Sequence, residues 1–358
     1  MRKEVAIVGT VGLPASYGGF ETLTDFLTKH LDNHFDFTVY CSSKNYPTKP
    51  AKHNGVQLYY IPLNANGAQS ILYDMWSMIH ALRYADTILV LGVSGCTLLP
   101  ILRLFGLKHC VVNIDGLEWK RAKWGSAAKW FLKFSEKIAV KFATTIVTDN
   151  KAIQDYVLDE YSKQSALIAY GGDQARKVRV VESDNLRYPF LVDPYAFTVC
   201  RIEPENNVHL ILEAASQSVS PPIVVVGNWD SSEYGRDLRS RYAQHAQVLL
   251  LDPIYDQNNL DLLRSNCSIY LHGHSAGGTN PSLVEAMSLE LPIFAYDVEY
   301  NRETTENKTL YFKSTEELVN LLETTDVETR KYLGQRMYDI ASKRYRWDVI
   351  ADQYDALL

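Results

Sequence analysis

Short runs of consecutive apolar residues recur along the chain, separated by segments in which apolar positions return every three or four residues. The first run, Val5-Ala-Ile-Val-Gly9, is solidly apolar, as a strand covered by helices on both faces requires. A glycine-rich loop follows, and beyond Gly19 the positions Phe20, Leu23, Phe26, Leu27 and Leu31 keep helical spacing. Strand, loop and helix in that order open a βαβ unit. The same reading predicts strands over 37–40, 56–61, 87–91, 109–114, 144–148 and 165–168 with helical segments between them, the pattern of a doubly wound α/β sheet.

A second series starts after Asp193-Pro194. It predicts strands over 196–200, 223–226, 248–251, 269–272, 292–294 and 309–312, alternating with helices over 209–216, 257–265, 281–288 and 315–322. Because the alternation begins afresh, two Rossmann-like domains are expected, 1–185 and 186–340, followed by a terminal helix over 341–358. The polar stretch 171–194 reads as the linker, with Gly171-Gly172-Asp173 closing the first domain. Ligands of open α/β sheets sit beyond the carboxyl ends of the strands. Two such sheets are therefore expected to face across a cleft, one substrate on each wall.

Composition narrows the classes. A chain of 358 residues, 46% of them hydrophobic, has material for two cores. A net charge of −6 argues against a dedicated nucleic-acid binder, which carries a basic domain or stripe. Five scattered cysteines with no Cys-x-x-Cys pair read as buried free thiols of a reducing, cytoplasmic setting. The first apolar run is too short for a signal-peptide core. Apolar stretches over 87–93 and 96–102 are broken by Ser94-Gly95 and Pro100, so a spanning helix is not expected.

Several segments carry candidate chemistry. In Gly9-Thr-Val-Gly12-Leu-Pro-Ala-Ser-Tyr17-Gly18-Gly19-Phe20-Glu21 the glycines lie between strand and helix, where backbone amides can face an anion. The spacing differs from the dinucleotide fingerprint, which weakens a nicotinamide reading. In His272-Gly-His274-Ser-Ala-Gly277-Gly278-Thr279-Asn280-Pro281-Ser282-Leu-Val-Glu285, Asn280 and Pro281 read as a helix cap and first turn, and Glu285 is placed to accept from ribose hydroxyls. Alternation along an extended segment puts His272 and His274 on opposite faces, poor geometry for a shared metal. Asp115 and Glu118, at a strand end in Asn113-Ile-Asp115-Gly116-Leu-Glu118-Trp119-Lys120-Arg121, are candidates for acid–base work on an acceptor hydroxyl. From Trp119 to Lys141 bases interleave with aromatics, which suits either an anionic bilayer or a core helix with a solvated basic face. Arg201, past the strand over 196–200, is placed to clamp a diphosphate; its alternative is an ion pair with a nearby glutamate.

Together, Gly9 to Glu21, Asn113 to Trp124, Arg201 to Asn207 and Gly277 to Met287 resemble the retaining GT-B glycosyltransferases of family four, specifically the branch of bacterial rhamnosyltransferases of polysaccharide assembly. Tyr345-Arg-Trp347-Asp348 with Tyr354 is similar to that family's terminal helix, which crosses back onto the first domain. The resemblance implies a donor side made by Arg201, Asn206, Gly277, Gly278, Thr279, Asn280, Ser282 and Glu285, approached by the Gly18-Gly19 turn. It implies an acceptor side from Tyr17, Phe20, Glu21, Trp119, Lys120 and Arg121, and catalysis through Asp115, Glu118 and Arg201. In the broader family a glutamate stands at the place of Gly277 and a lysine at that of Asn206, so a sugar-binding carboxylate and a phosphate cation are missing here. The implied activity is transfer of a sugar, L-rhamnose from dTDP-rhamnose, to a lipid-linked saccharide in O-antigen or capsule assembly, without metal or other cofactor. A peripheral place on the inner membrane's cytoplasmic face is implied as well. The competing classes are a nucleotide-sugar epimerase or nicotinamide oxidoreductase of the same architecture, and a nucleotide-sugar sensor without catalysis.

Overall fold

The structure, a computed structural model, describes residues 2–15, 18–114, 116–121, 124–217 and 221–358. It divides into two compact units, 2–170 with 347–358, and 171–346.

The first unit is built on strands β1 (Lys3–Val8), β2 (Phe35–Ser42), β3 (Lys52–His53), β4 (Val56–Ile61), β5 (Thr87–Leu91), β6 (His109–Asn113), β7 (Thr145–Thr148) and β8 (Ala166–Leu167). Their order is β3-β4-β2-β1-β5-β6-β7-β8, parallel except for β3 against β4. The short, polar β3 has no apolar alternation that would reveal it. Helices α1 (Gly19–His30), α2 (Gln69–Ala81), α3 (Leu99–Leu104), α4 (Ser126–Phe142) and α5 (Lys151–Tyr161) make the connections. Val5 to Val8 and Ile88 to Leu91 are almost wholly buried, as central strands between helical layers must be.

The second unit has β9 (Ala196–Val199), β10 (Ile223–Val226), β11 (Val248–Leu251), β12 (Ile269–His272), β13 (Ile293–Tyr296) and β14 (Leu310–Phe312), parallel in the order β11-β10-β9-β12-β13-β14. Its helices are α6 (Glu182–Arg187), α7 (Val208–Gln217), α8 (Glu233–Tyr242), α9 (Gln257–Ser265), α10 (Pro281–Ser288), α11 (Glu299–Thr304), α12 (Thr315–Thr324) and α13 (Val327–Arg344).

The stretch expected as a linker is instead part of this unit, and the first domain closes at Tyr170 rather than at 185. Val178 N donates to Ser265 Oγ at 3.0 Å and Lys177 pairs with Glu290 at 2.6 Å, so polar side chains that suggested a solvated tether are anchored to the sheet's helices. Gly172 is tightly packed: a Cβ there would lie 2.4 Å from the backbone of Val284. At the other end α13 runs to Arg344 within the second unit, so the terminal helix α14 (Trp347–Asp355) begins later than 341. Trp347 stacks on Phe26 at 4.5 Å, Asn113 Nδ2 donates to Tyr354 Oη at 2.8 Å, and Lys3 Nζ and Thr87 Oγ1 both donate to Leu358 O at 3.0 Å. Aromatic packing and buried hydrogen bonds thus place this helix in the first unit.

Candidate active site

In each sheet the first strand has its successor on one side and a later strand on the other. β1 lies between β2 and β5, and β9 between β10 and β12. At such a switch point the connections diverge and leave a crevice beyond the carboxyl ends. The motif loops of the sequence fall there: 9–15 after β1, and 200–207 and 273–280 after β9 and β12.

Arg201 stands just past β9. Its side chain is 44% exposed and lies 3.8 Å from Glu203 Oε1, beyond hydrogen-bond range, so the guanidinium can serve an anionic ligand. Asn206, expected as a donor ligand, is buried, and its Nδ2 donates to Arg201 O at 2.7 Å. That amide closes the turn carrying Arg201 instead of standing where a phosphate cation would. The two loops are knitted together: Asn207 Nδ2 donates to Gly273 O at 2.9 Å, and Ser275 N and Oγ each donate to Glu205 O at 2.8 Å. Gly273 permits this, since a Cβ would lie 2.2 Å from Asn206 O.

Asn280 occupies the cap position of α10 with Pro281 in the first turn, but its side chain makes no capping hydrogen bond. The opening amides of α10 therefore carry no side-chain cap, which suits an anion. Gly277, at φ 116°, turns the chain toward this helix start; Gly278 and Thr279 are buried behind it and Ser282 is half-buried. His272 and His274 do not point to opposite faces: their rings stack at 4.3 Å with 9° between planes. Strand geometry ends at His272, so alternation no longer governs the pair. Burial, reinforced by His274, holds fully buried His272 well below the usual histidine range, which makes it neutral at pH 7.

Glu285 is held from two sides. Gln174 Nε2 donates to Oε1 at 2.6 Å, and Arg264 Nη1 donates to Oε2. Arg264 is wholly buried and also lies 3.4 Å from Asp261 Oδ1, which accepts from Gln257 Nε2 at 2.9 Å. Burial opposes the Arg264 charge, but Glu285, Tyr270 and Asp261 more than offset it, and the group is held above its ordinary range. Burial pushes Asp261 up, against the pull of Arg264. Each Glu285 oxygen keeps a second lone pair for a ligand hydroxyl. Arg264 and Gln174 escaped the sequence reading; the one available signal was a charged i, i+3 pair, Asp261 and Arg264, inside the apolar stripe of α9.

In the first unit the loop after β1 is shaped by its glycines and by Glu21. Gly9 (φ 89°) has no room for a side chain, since a Cβ would lie 2.0 Å from Leu91 O, and Gly18 (φ 131°) lies over the Glu21 carboxylate. Glu21 is buried and its Oε1 accepts from Thr10 Oγ1 at 3.0 Å and Val11 N at 2.7 Å. It therefore clamps the loop instead of facing an acceptor. Gly19 and Phe20 are half-buried at the start of α1, with the Phe20 ring near Gly92. Gly9→Ala is expected to cost at least ~2 kcal/mol through left-handed strain and backbone overlap, read as a lower denaturation midpoint.

After β6, Glu118 is similarly engaged: Oε1 accepts from Trp124 Nε1 at 3.0 Å and Oε2 pairs with Arg121 Nε at 2.7 Å. A carboxylate so paired is a poor general base and orders the loop instead. Trp119 Nε1 donates to buried Glu136 Oε2 at 3.1 Å, a carboxylate that also accepts from Tyr156 and Tyr161 at 2.7 Å each. Lys120 lies over the rings of Trp119 and Tyr156. Trp119 and Lys120 thus pack with Tyr156, while Arg121 is held by Glu118. Asp115 and Tyr17 lie outside the described residues.

Near the same switch point Asp74 of α2 is buried, with Ser94 Oγ donating to Oδ2 at 2.8 Å and no partner on Oδ1. Burial, opposed by Ser94 and Gly95, pushes its carboxyl up to about 7. A carboxyl whose folded pKa is raised holds its proton longer when folded than when unfolded. Stability from this group is therefore full below about pH 4 and lost as pH rises toward 7, by about 4 kcal/mol. Asp74→Asn is expected to flatten that part of the pH–stability profile, measured by urea unfolding across the window.

Five buried free cysteines match the sequence expectation, and burial raises every thiol. Among the described residues no group of three or more His, Cys, Asp or Glu is arranged to hold a metal.

Two Rossmann-like units, each with a loop and helix start at its switch point, define the GT-B class of fold. Residues 190–338 match the family "Glycosyl transferases group 1", and residues 2–173 match a domain of unknown function, DUF1972. An uncharacterised glycosyltransferase of Methanocaldococcus jannaschii is 23% identical over 94% of this chain and 93% of its own length. Among solved structures, sucrose-phosphate synthase from Thermosynechococcus elongatus superposes with a TM-score of 0.81 at 16% identity, covering 99% of this chain and 98% of that one. Anabaena HepE in complex with UDP and glucose gives 0.77 at 16% identity, with the same coverage. The chain has the GT-B fold, and its residues 190–338 match the group 1 glycosyltransferases.

Proposed function

We propose that this chain is a glycosyltransferase that moves L-rhamnose from dTDP-rhamnose to a lipid-linked saccharide, with retention and without metal, in assembling O-antigen or capsule at the cytoplasmic face of the inner membrane. The observation that carries the reading is Arg201, a half-exposed cation just past β9, with the uncapped start of α10 following the neighbouring strand β12. Breaking the bond from the anomeric carbon to the phosphate oxygen builds negative charge on the departing diphosphate. A fixed guanidinium and helix-start amides stabilise that charge as it develops. Because Glu118 is paired on both oxygens, the leaving phosphate oxygen takes the acceptor hydroxyl's proton as the new glycosidic bond forms on the same face. Glu285, steadied by Arg264 and Gln174, receives the nucleotide ribose. Gly278, Thr279, Asn280 and Ser282 frame the diphosphate, and the first unit, through Gly18, Gly19 and Phe20, meets the acceptor.

Gly277 supports the choice of donor: a carboxylate that would grip sugar hydroxyls is missing there, which suits a deoxysugar. HepE, whose structure holds UDP and glucose, favours a UDP-hexose as the second reading. Thermal shift with dTDP-rhamnose, UDP-glucose and their nucleotides decides between them, because a ligand that binds the native state raises the midpoint by mass action. A larger shift with UDP-glucose than with dTDP-rhamnose would overturn the rhamnose assignment. Conversion of donor in the absence of acceptor would move the protein to the epimerases.

A further inference from the structure

We infer that the outer face of the α2–α3–α4 layer in the first unit is a lipid-docking surface that inserts Leu104 and Phe105 into an anionic bilayer. It deepens the reading of a lipid-linked acceptor and rests on that reading for its purpose, not for its observations.

The crossover from β4 to β5 and the connections from β5 to β7 are right-handed by the general rule, which sets α2, α3 and α4 side by side on one face of the sheet. Arg103 of α3 ties the layer together, donating Nε to Phe142 O at the end of α4 at 2.9 Å. Each helix turns an apolar stripe inward, as Tyr73 and Met78, Leu99 and Leu102, and Ala139 and Val140 show. Each also carries a second apolar stripe facing outward. On α2 these are Leu72, Trp76 and Ile79, spaced four and three residues apart and all exposed. On α3 and the residue after it, Leu104 is 86% and Phe105 75% exposed. On α4, Trp130 and Phe134 are exposed and stack at 5.6 Å. Helices of an α/β layer normally give that face to charged and polar side chains.

A groove of about 490 Å³ runs between the second and third helices, walled by Ile79, Leu98, Ile101 and Phe105, with Arg83 as its charged member. The exposed charges that α4 carries are positive. Helix α4 has Lys129, Lys133, Lys137 and Lys141 at four-residue intervals, and its one carboxylate, Glu136, is buried. Lys133 is paired with Glu160 at 3.0 Å, while Arg83, Lys108, Lys137 and Lys141 are exposed. On a chain of net charge −6, this local excess of cations around exposed tryptophan, leucine and phenylalanine complements anionic headgroups over an acyl interior. No helix among the described residues is long and apolar enough to cross a membrane, so this contact would be peripheral.

The test is sedimentation of the full chain with phosphatidylethanolamine–phosphatidylglycerol vesicles and with phosphatidylcholine vesicles. Wild type is expected to pellet with the first and weakly with the second. Leu104→Glu with Phe105→Glu is expected to lower binding to both by ~10-fold or more, and Lys137→Glu with Lys141→Glu to lower it only on the anionic vesicles. Unchanged thermal stabilisation by dTDP or UDP in these variants checks that the fold and the donor side are intact. Binding by the Leu104/Phe105 variant equal to wild type, or no binding by wild type, overturns the inference. So does a wild-type dimer in solution that the same variant converts to a monomer, since the face would then join two copies. Vesicle binding as expected, with sugar transfer only to soluble acceptors, would instead sink the lipid-linked acceptor and leave this surface standing.

Discussion

Arg201→Ala is expected to lower kcat for sugar transfer by about 10²–10³-fold, with the unfolding midpoint unchanged. The guanidinium is 44% exposed and 3.8 Å from Glu203, so its removal leaves no buried partner stranded. Its proposed role lies in the charge that grows on the leaving diphosphate, and an interaction stronger in the transition state than in the ground state is lost from kcat. Arg201→Lys keeps the charge but not the bidentate fork, and should retain part of the rate. Single-turnover transfer by the two variants, with donor at saturation, reads the difference directly. A kcat equal to wild type in the alanine variant would remove Arg201 from the reaction.

The largest effect on stability is expected from Arg264→Met, a loss of roughly 3–5 kcal/mol in urea unfolding followed by circular dichroism. The substituted side chain has a similar volume, so the loss comes from electrostatics: Glu285 and Asp261 are left near one another without the cation between them. Combining Arg264→Met with Glu285→Gln should recover part of that loss, because the stranded charge is then gone. Donor affinity separates the two roles. Glu285→Gln alone should weaken donor binding with a smaller stability cost, whereas Arg264→Met should weaken binding through a displaced Glu285. Full donor affinity in folded Arg264→Met would show that Glu285 needs no such support.

Much of the architecture was legible because buried parallel strands must be continuous apolar runs. Elements β4, β5, β10, β11 and β12 fall on the expected residues. Elements without such a run were invisible: β3 is two polar residues, and α6 sits in a stretch whose polar composition suggested a tether. The reach of 171–185 into the second unit depends on partners at 261, 265, 285 and 290, which no local pattern announces.

The site divides along the same line. Sequence by itself determined which loops lie at the carboxyl ends of the strands, since glycine runs and a proline-led helix start must lie between strand ends and helices, and it singled out Arg201 and Glu285 as candidates. Tertiary structure alone decided which polar side chains are already spent. Glu21, Glu118 and Asn206 have the residue types a substrate site needs, yet Thr10, Val11, Trp124, Arg121 and the Arg201 carbonyl occupy them. It also placed Arg264 behind Glu285 and stacked His272 on His274. The physical reason is that a strand or helix start follows from periodicity and backbone geometry within a few residues. The use of a buried polar group is set by whichever distant donor or acceptor folding brings to it, because leaving it unpaired costs more than any local preference supplies.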